Sequence, residues 1–308
     1  MRISLSMWTT LSNTDFKRTG AKTGLIPVQT AAPPRAPRET ILIEPPQGWR
    51  SFDLHELWRY RELLWVLTER DIKVRYKQTV LGIAWAVIQP VMLMVVFSIF
   101  FGRLAQMPAD GLPYSIFVFA GLLPWTFFAN AISSSAASLI GSSNLVSKVY
   151  FPRLIIPLAS TGGGLVDFMI ATTVLLAMML FYGVGWSVNL VAAPLLIGGV
   201  IFIALGVGVW LSALTVAYRD FRYVVPFLVQ FWMFATPVVY PASLAPPQWR
   251  WLLFVNPMAG FVEGFRSAFL SRPFDWPAIM ISLIAAVAVF LMGVAYFEKV
   301  ERRFADII

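Results

Sequence analysis

The chain has 308 residues, of which 58% are hydrophobic and only 13% are charged. This is more apolar surface than one water-soluble core can bury, so the composition excludes an ordinary soluble protein and predicts an integral membrane protein. With no cysteine and a single histidine, His55, the chain excludes disulfides and Cys/His metal sites, and we predict no metal site at all.

The first segment in chain order, residues 1–50, is predicted to be a tail. Residues 31–48 carry five prolines, which deny helical hydrogen bonds and favour extended backbone. We expect a mostly disordered segment, and both a docking role and a tolerated extension fit its composition. No signal-peptide-like apolar stretch opens the chain, so we expect this tail in the cytoplasm.

An amphipathic helix is predicted at residues 53–67, ahead of the first long apolar run. Leucines and tryptophans, including Trp58, share one face, whereas Arg59 points to water and Arg61 must snorkel. Such a helix is typical of a membrane interface. The basic residues that follow it are Arg70, Lys73, Arg75 and Lys77. An anchor attracted to anionic lipid would explain these charges alone, but not the helix in front of them.

Six charge-poor runs come next, close to the roughly 20 residues that cross about 30 Å of hydrocarbon. They cover residues 80–101, 113–132, 154–182, 190–217, 224–240 and 277–297. The fifth is the shortest and contains two prolines. A further apolar stretch, 251–270, is interrupted by polar residues and is re-entrant or interfacial. The predicted fold is all-α, integral to the membrane, with six transmembrane helices.

The positions of Lys and Arg predict the orientation of these spans. With the N-terminus inside, twenty basic residues fall on the cytoplasmic side and four on the outer side. Both termini are therefore expected in the cytoplasm. Orientation in a membrane also explains the net charge of +8, so no nucleic-acid partner is needed.

Two groups of charged residues fall in or beside the spans. Asp167 lies deep in the third run, where an ionised carboxylate is costly, so we expect it to be protonated, paired or facing a polar cavity. A functional role and a role in helix packing both fit it. Glu263 precedes Arg266 by three residues; this pair contributes little in a wet helix but could hold a closed state if it were buried at a gate.

Aromatic residues are dense in the second and fifth runs. Trp125 and Phe128 lie in the second. Tyr223, directly before the fifth run, recurs at a spacing of four with Phe227 and Phe231 inside it, so that these three share a helix face. Such rings could stack on sugar rings along a channel, although packing against lipid or core is their commoner role.

The cytoplasmic segment at residues 133–153 is polar at its start and amphipathic at its end, where Leu145, Lys148, Tyr150 and Arg153 lie. A short helix that docks on a soluble partner and a plain surface loop both fit this pattern. The chain contains no phosphate-binding loop with the Gly-x-x-x-x-Gly-Lys-Ser/Thr spacing. Energy for any ATP-driven process must therefore come from another subunit.

Four stretches together resemble one known family. They are RDIKVRYKQTVLGIAWAVIQP (70–90), GLLPWTFFANAI (121–132), SNLVSKVYFPRLIIP (143–157) and AYRDFRYVVPFLVQFWMFATPVVYP (217–241). In this order they are similar to the membrane subunits of type-2 ABC exporters of the Wzm kind, which move O-antigen, capsular or teichoic-acid chains. The likeness extends over roughly residues 55–300, and the tail is longer than the family's minimal pattern.

The resemblance implies a homodimer around a central channel in a bacterial inner membrane, with two ATPase subunits bound on the cytoplasmic side. ATP and magnesium would belong to those subunits, and this chain would hold no cofactor. Residues 53–67 would form the gate helix where a lipid-linked pyrophosphate enters past the basic residues. Residues 138–152 would couple to the ATPase, and a re-entrant helix pair with Glu263 and Arg266 would close the outer side.

The sequence thus predicts a transport subunit, residues 51–308, and not an enzyme. A type-2 permease for a drug or lipid is the alternative within transport. An integral membrane sugar-phosphate transferase would need clustered acidic or histidine residues, whereas Asp110, Asp220 and Asp275 are isolated. A proton-coupled carrier would need more buried ionisable groups than Asp167 and repeated halves.

Overall fold

The computed structural model describes residues 54–77 and 82–301, and it is helical throughout these ranges apart from turns and loops. The tail expected at residues 1–50 lies outside the described residues. The helices are α1 (Leu54–Arg59), α2 (Arg61–Tyr76), α3 (Ala84–Phe97), α4 (Tyr114–Gly141), α5 (Ser143–Lys148), α6 (Ile155–Gly162), α7 (Gly164–Phe181), α8 (Ala193–Ala217), α9 (Phe221–Ala235), α10 (Arg250–Val255), α11 (Pro257–Phe269) and α12 (Trp276–Glu301).

Within the described residues, five segments are long and apolar enough to cross a membrane. They are Ala84–Leu104, Tyr114–Gly141, Ile155–Phe181, Val188–Ala217 and Trp276–Glu301. The first joins α3 to a π-helical segment at Ser98–Leu104, and the third joins α6 to α7 at the three consecutive glycines 162–164. Their positions agree with five of the six runs predicted from hydropathy.

The fifth predicted run, residues 224–240, differs from the other five. Helix α9 has 15 residues, which span about 22 Å, less than the roughly 30 Å of a hydrocarbon core. The run was expected to continue to residue 240, but the helix ends at Ala235. Pro237 lacks a backbone N–H to continue it, and Val238 and Val239 are buried in the interior. Hydropathy therefore located the segment and overestimated its helical length.

Helix α4 forms the centre of the bundle, and α8 packs between it and α12. Small residues let the helices approach closely. A Cβ on Gly206 of α8 would lie 2.8 Å from the Cα of Phe290 in α12, and a Cβ on Gly293 of α12 would lie 2.6 Å from the carbonyl oxygen of Gly206. On its other side α8 meets α4, where a Cβ on Gly208 would lie 2.8 Å from the side chain of Ser135.

The segment ahead of the first span is more extensively helical than predicted. A turn at Tyr60 separates α1 from α2, and α2 continues to Tyr76, so Arg70, Lys73 and Arg75 lie on a helix and Lys77 follows its end. Helix α2 packs on α6, where the hydroxyl of Thr68 donates to the carbonyl of Ala159 at 3.4 Å and its side chain contacts Gly162.

The expected shared face of leucine and tryptophan in this segment is wrong. Leu67 is buried and Leu64 packs beside it against the core. Trp58 and Trp65, by contrast, are 68% and 71% exposed. The leucines were expected to enter lipid, but Leu64 and Leu67 pack against the protein's own bundle, whereas both tryptophans remain exposed to a membrane or another subunit.

Helices α10 and α11 lie between α9 and α12, in the stretch predicted to be re-entrant. Asn256 caps α11, its side chain accepting from the N–H of Met258 at 3.1 Å, and Pro257 occupies the first turn. The same side chain accepts from the indole of Trp232 in α9 at 2.9 Å and donates to Thr236 at 2.8 Å. One amide therefore joins the end of α9 to the start of α11.

Candidate functional site

Asp167, in the first turn of α7, is paired across the subunit with the end of α2. Its carboxylate forms an ion pair with Arg75 and accepts a hydrogen bond from the hydroxyl of Tyr76. Burial, reinforced by this hydrogen bond, raises the pKa of Tyr76 above its ordinary value, so the hydroxyl stays protonated as a donor. Of the states expected for Asp167, the structure shows the paired one.

The same residues line a partly open cavity of about 300 Å³ between α2, α3, α4 and α7. Besides Arg75, Tyr76 and Asp167, its polar lining includes the amides of Gln89 and Asn130. Asp167 is therefore both paired and next to a polar space. This cavity joins Arg75, one of the basic residues predicted ahead of the first span, to the acid predicted inside the third span.

The other basic residues described ahead of the first span are divided between paired and open positions. Arg70 bonds Asp71 at 2.9 Å, and Lys73 bonds Glu69 at 2.6 Å. Arg61 lies over the ring of Trp58 at 5.5 Å. Arg59 and Lys77 are exposed, with no ion pair among the described residues. The free positive surface is thus smaller than the count of basic residues suggests.

The segment expected to couple to an ATPase is a short helix, α5, between the end of α4 and the start of α6. It has six residues because α4 continues to Gly141. Leu145 packs partly against the buried cluster at this end of the bundle, whereas Lys148 is exposed and Tyr150 is 75% exposed.

Arg153 follows this segment and connects it to the last helix. Its guanidinium donates to the backbone carbonyl of Glu301 at 2.7 Å, and its backbone N–H donates to the carboxylate of Glu301 at 3.4 Å. These two hydrogen bonds couple the position of the α5 segment to that of the end of α12.

The five candidate channel aromatics fall into two groups. The structure corrects the expectation for Trp125 and Phe128, which are 3% and 0% exposed. Phe128 packs edge-on against Trp232 at 5.1 Å between ring centroids, so these rings belong to the subunit's core. By contrast, Tyr223, Phe227 and Phe231 are 79%, 69% and 66% exposed along one face of α9.

Glu263 and Arg266 form an ion pair at 3.0 Å deep in the subunit, and not in a wet surface helix. Arg266 is 1% exposed and is the only fully buried charged side chain among the residues that the structure describes. Its guanidinium donates to the carbonyl of Phe117 at 3.2 Å and to that of Val238. The carboxylate of Glu263 also accepts from the N–H of Ala242 at 3.0 Å.

This pair connects three parts of the chain: α11, α4 and the loop after α9. The guanidinium carbon lies 3.9 Å above the ring of Phe117, and Gly121 provides the space, since a Cβ there would lie 2.3 Å from a guanidinium nitrogen. Burial lowers the pKa of Arg266, and the charge of Glu263 opposes that shift. Such an arrangement suits a fixed clamp on this end of the bundle.

A second clamp was missed from the sequence. Arg272 forms an ion pair with Asp110 at 2.6 Å, and its backbone carbonyl accepts from the side chain of Asn189 at 2.6 Å. Three loops at one end of the bundle are thus tied together. Asp110 had been considered an isolated acid, because 162 residues separate it from Arg272. A positive φ of 51° at Asp110, next to Gly111, marks the turn that aims its carboxylate.

Comparison with known proteins gives consistent matches. A sequence profile described as ABC-2 type transporter matches residues 62–270. The O-antigen export system permease protein RfbA of Klebsiella pneumoniae is 28% identical to this chain, and the match covers 80% of this chain and 95% of that protein. The protein of the same name from Myxococcus xanthus is 29% identical, and that match covers 82% of this chain and 98% of that protein. The inner membrane transport permease YadH of Escherichia coli K12 is 28% identical, over 59% of this chain and 75% of that protein.

Proposed function

Since this chain belongs to the ABC-2 type transporter family, we propose that it is the permease subunit of an ATP-driven exporter that moves a lipid-linked polysaccharide across the cytoplasmic membrane. The observation that carries the substrate class is the extent of the match to the two O-antigen export permeases, which covers nearly their whole length. The shorter match to YadH makes a permease for another substrate the second candidate.

The proposed permease acts as a homodimer, and its channel is lined by the exposed face of α9. Tyr223, Phe227 and Phe231 support this assignment, because large apolar rings left uncovered in one subunit need lipid, a second copy or a substrate to cover them. Aromatic faces also suit a sliding sugar chain, since they bind the apolar faces of sugar rings without fixed hydrogen bonds.

Six crossings complete the proposed topology, with α9 as a short fifth span, both termini in the cytoplasm and α10 and α11 as an outer re-entrant pair. The distribution of basic residues supports this orientation. The chain has no cysteine, so single cysteines can test it. A cysteine at Lys148 should react with an impermeant maleimide only in inverted vesicles, and one at Arg103 only in intact spheroplasts; the reverse pattern would refute the topology.

An ABC ATPase dimer supplies the energy and docks on the exposed part of the α5 segment. The exposed Lys148 and Tyr150, together with the link from Arg153 to the end of α12, support this position. Tyr150→Ala should weaken co-purification of the ATPase with the tagged permease, whereas the same change at Trp251, an exposed residue of α10, should not.

Deletion of the gene with plasmid rescue tests the function itself. Cells lacking this chain should lose surface polysaccharide and accumulate it inside, and the wild-type chain should restore export. An ATPase partner with an inactive catalytic site should block the rescue. Normal surface polysaccharide in the deletion strain would contradict the proposal and favour the second candidate.

A further inference from the structure

A basic turn leads into the aromatic face of α9. It contains Arg219 and Arg222, and the N–H of Arg222 donates to the carbonyl of Arg219 at 3.3 Å, so the two residues are the ends of one turn. Such a turn holds its end residues within about 7 Å of each other, measured between Cα atoms. Both arginines are exposed. Two guanidinium groups are therefore presented together at the start of α9.

The charge of this turn is not used within the subunit. In the part of the chain that the structure describes, neither arginine forms an ion pair, whereas Arg70, Lys73 and Arg75 ahead of the first span each have a carboxylate partner. Asp220 lies between the two arginines, so that residues 219–222 carry two positive charges and one negative charge, a net charge of +1. This turn therefore favours an anion.

Recognition of the anion depends on the side chains and not on the end of the helix. The backbone N–H groups of residues 221–223 already donate to the carbonyls of residues 218–220, at 3.1, 3.3 and 2.9 Å. Each guanidinium group offers five N–H donors in a planar fork that matches the oxygen atoms of a phosphate. Such contacts are frequently bidentate and are stronger than hydrogen bonds between neutral groups. The turn therefore suits a phosphate better than an uncharged ligand.

An exposed aromatic ring follows the basic turn on the same side of the chain. Tyr223 comes four residues after Arg219, the spacing at which helical side chains are neighbours, and it is 79% exposed. A phosphate bound to the arginines would bring the group attached to it beside this ring. A phenol ring presents a flat apolar face and a polar hydroxyl, which suit a sugar. The phosphate site and the sugar site are thus adjacent, as phosphate and first sugar are in a lipid-linked glycan.

We propose that Arg219 and Arg222 bind the phosphate that joins the lipid to the first sugar of the exported glycan, and that this sugar stacks on Tyr223. The proposal rests on the proposed function and adds to it the residues that hold the charged end of the substrate. The resemblance to the family predicts a basic entry ahead of the first span instead. Arg59 and Lys77, the exposed basic residues there, are therefore the rival position.

Three probes with the same alkyl chain separate the two contacts. They are methyl decyl phosphate, decyl β-glucoside and a phosphodiester that joins decanol to C1 of glucose. Each is titrated into the purified full-length chain in an amine-oxide detergent, and bound probe is counted by native mass spectrometry. The glucosyl diester should bind about fivefold more tightly than the methyl diester, and the glucoside should bind most weakly. Equal binding of the glucoside and the glucosyl diester would overturn the proposal.

Two double variants with the same loss of charge locate the phosphate. Arg219→Gln with Arg222→Gln should weaken both phosphodiesters at least about tenfold, because charge-assisted hydrogen bonds are lost. Arg59→Gln with Lys77→Gln, the matched control, should leave both affinities unchanged. If only the second pair weakens binding, the phosphate site lies ahead of the first span and the proposal is refuted.

Two single variants give changes that a folding defect does not produce. Asp220→Asn removes the negative charge between the arginines and should strengthen both phosphodiesters about threefold. Tyr223→Ala should weaken the glucosyl diester about fivefold and leave the methyl diester unchanged, since only the first carries a sugar. Unchanged affinities in both variants would overturn the proposal.

Ordinary anionic lipid and the ATPase are the other occupants that exposed arginines attract. In competition with an equal concentration of dioctanoyl phosphatidylglycerol, the glucosyl diester should occupy most of the sites; a preference for the lipid would refute the proposal. The Arg219→Gln and Arg222→Gln double variant should retain the ATPase during co-purification. Loss of the ATPase with unaltered binding of the probes would assign the arginines to subunit docking and also refute it.

Export measured in the same strains separates two kinds of failure. If the wild-type chain restores surface polysaccharide while probe binding does not depend on Arg219 and Arg222, the phosphate site is refuted and the proposed function stands. If the wild-type chain fails to restore export, the proposed function itself is refuted, whatever the probes show.

Discussion

Arg266 illustrates how one residue can determine the stability of a large membrane subunit. Removing its charge from water is costly, and that cost is offset by Glu263, two backbone carbonyls and the face of Phe117. All of these favourable contacts are made by the guanidinium group. A substitution therefore removes one donor each from the carbonyls of Phe117 and Val238 and from the carboxylate of Glu263.

Arg266→Met should destabilise the subunit strongly. The carboxylate of Glu263 would keep only the N–H of Ala242, and removing one member of a buried pair typically costs about 3–5 kcal/mol. We expect the melting temperature of the purified protein to fall by roughly 10 °C. Arg103→Met, at an exposed arginine, is the control and should change it little.

Adding Glu263→Gln to Arg266→Met should recover part of the loss, because the double variant no longer buries an unpaired charge. A single variant as stable as the wild type would show that the clamp contributes nothing.

The pairing of Asp167 with Arg75 predicts thermodynamic coupling between α7 and α2. Asp167→Asn and Arg75→Gln should each lower the melting temperature, and the double variant should lose less than the sum of the two. A coupling of about 0.5–3 kcal/mol is expected for contacting residues in one hydrogen-bond network. Strict additivity, measured by the same thermal unfolding assay, would mean that the two side chains do not interact.

At the scale of the elements, the close crossing of α8 and α12 requires a glycine at position 206, where a side chain would meet the backbone of α12. Gly206→Leu would place side-chain atoms against the backbone of α12 and should destabilise the protein by about 1–3 kcal/mol or more. Gly198→Leu, on the same helix, meets nothing within 4 Å and should be neutral or slightly stabilising through helix propensity. Equal melting temperatures for the two variants would contradict the close approach.

In helix α9, substitutions of exposed aromatic residues should lower export without lowering the stability of the subunit. Phe227→Ala and Phe231→Ala remove exposed rings, so the abundance and melting temperature of the subunit should stay near wild type. Export of polysaccharide should fall several-fold if these rings line the channel. Ile284→Ala and Leu291→Ala, at exposed positions of α12, serve as matched controls and should export normally. Equal export by all four variants would remove α9 from the channel.

The elements could be predicted to the extent that a local signal marks them. Hydropathy located five spans because each is a long run of apolar residues, and Asn256 with Pro257 marked the start of α11. The length of α9 was overestimated, because a buried loop is as apolar as a helix. In α2 the leucines and tryptophans share a composition but face different surroundings, and hydrophobicity alone does not distinguish a protein core from lipid.

For the whole molecule, the contacts that build the sites lie beyond local sequence patterns. Arg75 and Asp167 are 92 residues apart, and Arg266 and Phe117 are 149 apart. The expense of a charge in a membrane did predict that Asp167 would need a partner or a cavity. Only the packing of the helices shows that Arg75 is this partner. The same holds for the burial of Arg266 and the exposure of Tyr223.

ATP-dependent translocation in inverted membrane vesicles tests the central claim most directly. Vesicles containing this chain and its ATPase partner are given lipid-linked polysaccharide and then an added glycosidase. With ATP, the glycan should become protected inside the vesicles; with ADP, or without this chain, it should remain digestible. Glycan that stays digestible with ATP, in vesicles whose orientation and ATPase activity have been verified, would contradict the account.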